Sequence, residues 1–264
     1  MGMHIRGLGQ MLKICGRKPS NSSTAALAFE RFCVESYIYY SAILMLFYAD
    51  FDPLNDESSL RAFDDYFSNV SYGPHGLSPS QPVLGTSYRW FLLLAEITRL
   101  ARQRYPSPMT WNTLHDNLCS CDDLVGRTLT QRLSNLDGAL YILGCQALLE
   151  CCNPFHSLAE REAVLQRPLQ EAIELIEHVP HGTKYRPYHL WPLTVISVLA
   201  VEDKSRQIFH RILSQLSREH NGGPTQAVQT RIEEVWAINT SSITHSSTYG
   251  ILLLLNDKSV YDCQ

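Results

Sequence analysis

The chain reads as an all-α protein, an irregular multi-helix domain of stacked antiparallel helices. Three observations predict this. Apolar residues recur at steps of three and four over several long segments, the spacing that places them on one helix face. Proline, glycine and Ser/Thr/Asn clusters fall between those segments, where caps and turns belong. Convincing strand pairs, with period-two alternation around a hairpin turn, do not occur. At 264 residues and 45% hydrophobic, the chain has enough apolar material for a substantial core. The expected organisation is a poorly ordered N-terminal arm, 1–24, followed by a single all-helical domain, 25–264.

In chain order, Met1 to Ser20 mixes His4, Arg6, Lys13, Arg17 and Lys18 with short apolar side chains. It contains no secretory apolar run, and Arg6 stands where myristoylation prefers Ser or Thr. A frayed terminal helix is expected. Asn21-Ser22-Ser23-Thr24 supplies an N-cap for an apolar, aromatic helix from Ala25 to Asp50. Its uncharged part, Ser36 to Ala49, is shorter than the roughly twenty residues that a membrane span needs. Phe51-Asp52-Pro53-Leu54 ends it, and residues 51–82 form an acidic, loop-rich stretch. The next helix carries Trp90, Leu93, Leu94, Ile97 and Leu100 on one face. Arg99, Arg102 and Arg104 at its C-terminal end are expected to serve as favourable charge there rather than as a phosphate site. Pro106-Ser107-Pro108 breaks the chain, and Thr110 to Asp123 fits no template cleanly.

From Thr128 to Cys151 a long helix is expected, with Leu129, Leu133, Leu136, Leu140, Leu143, Ala147, Leu148 and Cys151 at steps of three and four. Gly138, Gly144 and the scarcity of flanking charges favour a core helix over a dimerising coiled-coil seam. Ser157-Leu158-Ala159-Glu160 has the capping-box pattern, and Pro168 is expected to kink or restart the helix that follows. After the break at 179–188, Leu190 to Ala200 is apolar on nearly every side, with Pro192 in a first turn that tolerates it. Ile208, Phe209, Ile212, Leu213 and Leu216 stripe a second helix, which Asn221-Gly222-Gly223-Pro224 ends. Val228, Ile232, Val235 and Trp236 stripe a third. Ile251 to Leu255 is an apolar run that would be exposed unless it docks into the core.

These residues also carry a resemblance. Leu190-Trp191-Pro192-Leu193, then Ser205-Arg206, an amphipathic helix, and Ile232-Glu233-Glu234-Val235-Trp236 resemble the closing signature of the fungal-specific transcription factor regulatory domain. Val83-Leu84-Gly85 leading into an aromatic-leucine helix resembles the central motif of that family, and the Asp-Pro step after the first aromatic helix is also similar. The likeness spans roughly residues 25 to 240. Ser197 departs from it, standing where the family usually has glycine. The resemblance implies an all-helical domain that sits C-terminal to a zinc-cluster DNA reader, and further helix beyond the end of this chain. It implies a nuclear protein that works through protein partners, as a homo- or heterodimer, or through an effector.

Composition and motif spacing narrow the chemistry. The formal net charge is −4, which disfavours autonomous binding to phosphate backbones. Cys15, Cys33, Cys119, Cys121, Cys145, Cys151, Cys152 and Cys263 are scattered, with no Cys-x-x-Cys pair and no six-cysteine zinc cluster. Buried free thiols in a reducing compartment are expected. Gly7-Leu8-Gly9 lacks the rest of a dinucleotide fingerprint, and neither Gly-x-Ser-x-Gly nor His-Glu-x-x-His is present. His156, His178, His181, His189, His210 and His220 are expected to be surface or satisfied core residues. The sharpest enzymatic pattern is Asp64-Asp65-Tyr66-Phe67-Ser68-Asn69, a start on a magnesium-diphosphate site of the kind that all-helical terpene synthases use. Ser68 stands where a third acidic ligand is needed, and Asn256-Asp257-Lys258-Ser259-Val260 lacks the second ligand set. The expectation is therefore a transcription-regulatory domain, not an enzyme, with no catalytic, cofactor-binding or metal residues, no cofactor, no membrane insertion and no DNA reading of its own.

Overall fold

A computed structural model describes residues 24–48, 52–54, 88–179, 185, 187–219, 223–242 and 245–255. Among the described residues there are ten α-helices and no strand, an all-α fold. The chain divides into two compact units, residues 1–96 and 97–264.

In the first unit, α1 runs Thr24–Leu44. It stops short of the expected Asp50 because the ladder tightens: Leu46 and Phe47 donate their N–H groups to carbonyls three residues back, Ile43 and Leu44. Met45 and Leu46 are buried in that turn. Inside α1, Arg31 and Glu35 are both buried and paired at 2.5 Å, one helical turn apart. Helix α2, Tyr88–Ala101, begins in this unit, and Tyr39 meets Phe91 edge-on at 5.4 Å. The expected stripe of α2 is buried at Leu93, Leu94, Ile97 and Leu100. Arg99 lies in the last turn of α2, as a cation at a helix C-terminus should.

The second unit continues with α3, Pro108–Val125, where the sequence pattern had been ambiguous. Local chemistry explains it. Ser107 Oγ accepts from Thr110 N at 3.4 Å and Pro108 occupies the first turn, so the expected break is also a helix start. Gly126, at φ 97°, ends α3 in a conformation that side-chain-bearing residues rarely adopt. The single helix expected over 128–151 is instead two, α4 Leu129–Ser134 and α5 Leu136–Cys151. Asn135 divides them: it leaves helical geometry at φ −128°, ψ 53°, and its side chain accepts from Gly138 N at 3.3 Å. A leucine stripe alone does not reveal such a break, because the apolar spacing continues across it. The short α4 helps bind the unit together through Arg132, buried and paired to Asp122 of α3 at 2.7 Å. The same guanidinium lies 3.1 Å from Glu171, on the helix after α5. Burial pushes the Asp122 carboxyl up, and the Arg132 charge pulls it part of the way back.

Helix α6, Leu158–His178, starts on the expected capping box: Ser157 Oγ accepts from Glu160 N, and the Glu160 carboxylate accepts from Ser157 N at 2.7 Å. Pro168 does not restart it; the helix continues through a buried proline. After the 3₁₀ turn Pro187–His189 come α7 Leu190–Ser197, α8 Asp203–Glu219, α9 Gly223–Ser241 and α10 Ser247–Leu255. The core sits where α5 and α7 pack, both buried on nearly every side, with α3 and α6 also against α5. Helices α8 and α9 pack on each other and on α7. Ile251, Leu253, Leu254 and Leu255 are buried, so the terminal apolar run docks as α10 against α6 and α9.

Candidate functional site: the hub around the Trp-Pro helix

Helix α7 is short, and every residue from Trp191 through the end of the helix and on to Ala200 is buried. Trp191 stacks on Tyr141 of α5 at 5.6 Å and 10°. This ring can lie flat because Gly144, one turn on, has no side chain: a Cβ there would approach Trp191 Cζ3 to 2.9 Å and Pro192 Cα to 3.5 Å. The Trp-Pro pair is thus the surface on which the two central helices meet. Ser197, where the family usually has glycine, is fully buried, and its hydroxyl donates to Thr194 O at 3.0 Å. Its backbone carbonyl accepts from Trp236 Nε1 at 2.9 Å.

Arg206 joins the same cluster from α8. Its Nε donates to Ala200 O at 3.0 Å and its Nη1 to Thr240 Oγ1 at 2.8 Å, while the guanidinium lies 5.8 Å from the Trp236 ring centroid. Burial lowers the guanidinium's proton affinity, and the Asp203 charge opposes that shift. Ser197, Arg206 and Trp236, spread over about forty residues of sequence, therefore form one assembly at the end of α7, while Trp191 Nε1 and Arg206 Nη2 are buried without a hydrogen-bond partner.

A second polar cluster guards the start of α7. His189 is buried and its Nε2 lies 2.5 Å from Asp137 Oδ1, in the first turn of α5. Tyr188 OH donates to Asp137 Oδ2 at 2.9 Å, and Tyr141 OH donates to Tyr188 O at 2.8 Å. An Asp–His pair is the orienting half of a nucleophile-activating triad. Here the imidazole is boxed edge-on by Tyr185 and Tyr188. It is a buried histidine paired with a carboxylate, and it anchors the segment before α7 to α5. Sequence reading missed the partner, because Asp137 lies 52 residues away and no periodicity links them.

A third cluster holds α10. Glu162 of α6 accepts from Ser247 N at 2.8 Å, Thr248 N at 3.0 Å and Thr248 Oγ1 at 3.0 Å, capping α10 from another helix. Ser247 Oγ donates to Leu199 O at 2.7 Å, and Asn239 brackets Ser246 through both its amide groups. This, too, left no trace in local sequence pattern.

Among the thiols, Cys145, Cys151 and Cys152 are buried as expected, and burial pushes the last two up to about 12. Cys119 departs from the expectation and is exposed. Among the described residues no group of three His, Cys, Asp or Glu side chains is placed to hold a metal, and no helix is long and apolar enough to cross a membrane. The Asp64-Asp65 pattern, the second acidic segment at 256–260, the N-terminal arm, Cys15 and Cys263 all lie outside the described residues. Among the described residues, an open polar groove of about 610 Å³ lies between α8 and α9, lined by His210, Arg211, Arg218, Gln229 and Glu233 among others.

The chain belongs to the fungal-specific transcription factor domain family, whose model matches residues 1–248. No curated protein and no solved structure matches it. Membership makes this a transcription regulator.

Proposed function

We propose that this chain is the regulatory part of a fungal-type transcription factor and acts through protein contacts rather than by reading DNA itself. The supporting observation is the division of labour in the second unit. The signature residues Arg206 and Trp236 are used at the end of α7, while the α8–α9 groove, which the signature's Glu233 also lines, presents unburied arginine, histidine and amide side chains. The chain's net charge of −4 gives no general attraction to a phosphate backbone. A partner protein with acidic and amide side chains suits the groove better, since Arg211 and Arg218 offer guanidinium forks for carboxylates. The setting is the nucleus, where the partner is transcription machinery or a related factor.

The test is a reporter assay with the full chain fused to an unrelated DNA-binding domain. Replacing Arg211 and Arg218 with Glu should shift reporter output several-fold while the circular dichroism spectrum and melting temperature stay close to those of the parent. Unchanged output with the fold intact would remove the groove from the mechanism. Magnesium-dependent turnover of a prenyl diphosphate, lost in Asp64→Asn, would overturn the regulatory reading altogether.

A further inference from the structure

The two arginines of the α8–α9 groove are spaced so that they limit what can lie in it. Positions 211 and 218 differ by seven, so both guanidiniums leave one face of α8, two turns and about 10.5 Å apart along its axis. Both arginines are exposed. Between them Ser214 and Ser217 are half-buried and set hydroxyls along the groove, and Gln229 of α9 adds an amide from the other wall.

The charges of the groove are unevenly committed. Glu233, the one carboxylate among the lining residues, lies 3.5 Å from His210 Nε2 and accepts from Gln229 Nε2 at 3.0 Å. Arg218 Nε donates to Ser214 O at 3.3 Å, within its own helix. Among the described residues, no carboxylate is paired with Arg211 or with Arg218. The α8 wall therefore offers two uncompensated cations, while the acid on the α9 wall is already engaged.

Two cations at this separation select a partner by its backbone period. In an α-helix, positions i and i+7 return to one face about 10.5 Å apart, the same step that separates the arginines. In an extended strand, same-face positions come every second residue, at about 6.6 or 13.2 Å, and the pair at i and i+3 points to opposite sides. A guanidinium fork takes a carboxylate bidentately, which makes the register matter. We propose that the groove docks a helix of a partner protein that presents two carboxylates seven positions apart, one to Arg211 and one to Arg218. Polar side chains between those carboxylates meet Ser214, Ser217 and Gln229. Glu233 repels any further acid at the His210 end, which gives the contact a preferred direction. This rests on the groove being the partner surface, and it adds the partner's secondary structure and charge spacing. Exposed ion pairs are weak and screened by salt, so the contact is a transient, salt-sensitive one.

The full chain is titrated against fluorescein-labelled synthetic peptides, with binding read by fluorescence anisotropy at low and high salt. One alanine-rich helical peptide carries glutamates at i and i+7. A second, of identical composition, carries them at i and i+5, on different faces. A third carries the same two glutamates in an extended, proline-rich chain. The first should bind about tenfold more tightly than the other two at low salt, and lose that advantage at high salt. Arg211→Gln and Arg218→Gln should each weaken the first peptide several-fold with unchanged circular dichroism and melting temperature. Arg127→Gln, on an exposed part of the second unit, should leave it unchanged. Equal binding of the three peptides, tighter binding of the extended one, no binding of any, or binding indifferent to both arginine substitutions would each overturn the proposal. The proposal and the reading it rests on fail separately. A reporter that responds to the Arg211→Glu, Arg218→Glu pair while the three peptides bind alike sinks the helical spacing and keeps the groove. An unresponsive reporter beside discriminating peptides keeps the contact and removes its part in transcription.

Discussion

Gly250→Ala separates helix propensity from tertiary packing, because the two predict opposite signs. Gly250 lies within α10 at a helical, fully buried position. On propensity alone, alanine should stabilise an interior helical position by about 1 kcal/mol over glycine. The structure reverses this. A Cβ at Gly250 would fall onto the Val198 carbonyl oxygen, well inside van der Waals contact, and come within 3.1 Å of the Val198 carbonyl carbon and 3.5 Å of Asn239 Nδ2. Val198 belongs to the fully buried run that follows α7, so its backbone has no free direction in which to retreat. Helix α10 must therefore move, and its seat consists of Ile251, Leu253, Leu254 and Leu255, all buried, with Glu162 and Leu199 accepting from its first turn. Overpacking a close-fitted core costs about 1–3 kcal/mol when side chains can adjust. With backbone as the obstacle, a loss of about 3 kcal/mol or more is expected. Urea denaturation followed by circular dichroism would show a lower midpoint at an unchanged slope. Hydrogen exchange would show α10 opening before the rest of the unit. A midpoint equal to or above that of the parent would refute the assigned contact between α10 and α7.

Three further outcomes follow from the hub, the α10 cap and the capping box of α6. Glu162→Ala should cost about 1–3 kcal/mol, because two backbone donors and a hydroxyl lose one shared acceptor, and the Ser247 and Thr248 amides should exchange faster than those of α5. Trp236→Phe removes the donor to Ser197 O while keeping most of the ring, and should lose about 1–2 kcal/mol in a thermal or urea melt. The Glu160 carboxyl is held below its ordinary value of 4.5, chiefly by its hydrogen bond to the Ser157 side chain and then by that to the Ser157 backbone. Since the folded value is depressed, the capping contribution is present above pH 4.5 and lost as pH falls through the lower folded value. In Ser157→Ala, an NMR titration of the Glu160 side chain should move up toward 4.5, and an unmoved titration would contradict the capping geometry.

Local devices were readable where they act within one or two turns. The Ser157 to Glu160 capping box, the stripe of α2 and the buried Trp-Pro helix were all legible, because each depends on residues a few positions apart. The aromatic anchors Trp191 and Trp236 were placed in the core for the same reason. The break at Asn135 was missed although it is local, since one side chain capping Gly138 outweighs a leucine stripe that runs on regardless. The exposure of Cys119 was missed because a thiol's burial depends on which face of α3 the neighbouring helices cover, and an ambiguous periodicity did not give that face.

The amino-acid sequence by itself determined the all-helical class, most helix starts, and membership of a transcription-regulatory family, because periodicity, caps and a short signature all reside in contiguous chain. Only the tertiary structure decided what that signature does. It brought Arg206 and Trp236 onto the carbonyls at the end of α7, set Glu162 on α10 across 86 residues, joined His189 to Asp137, and left Gly250 against Val198. Those pairings depend on how helices of similar apolar face choose one another, and that choice is made by shape and by satisfying buried polar groups, which no one-dimensional spacing encodes.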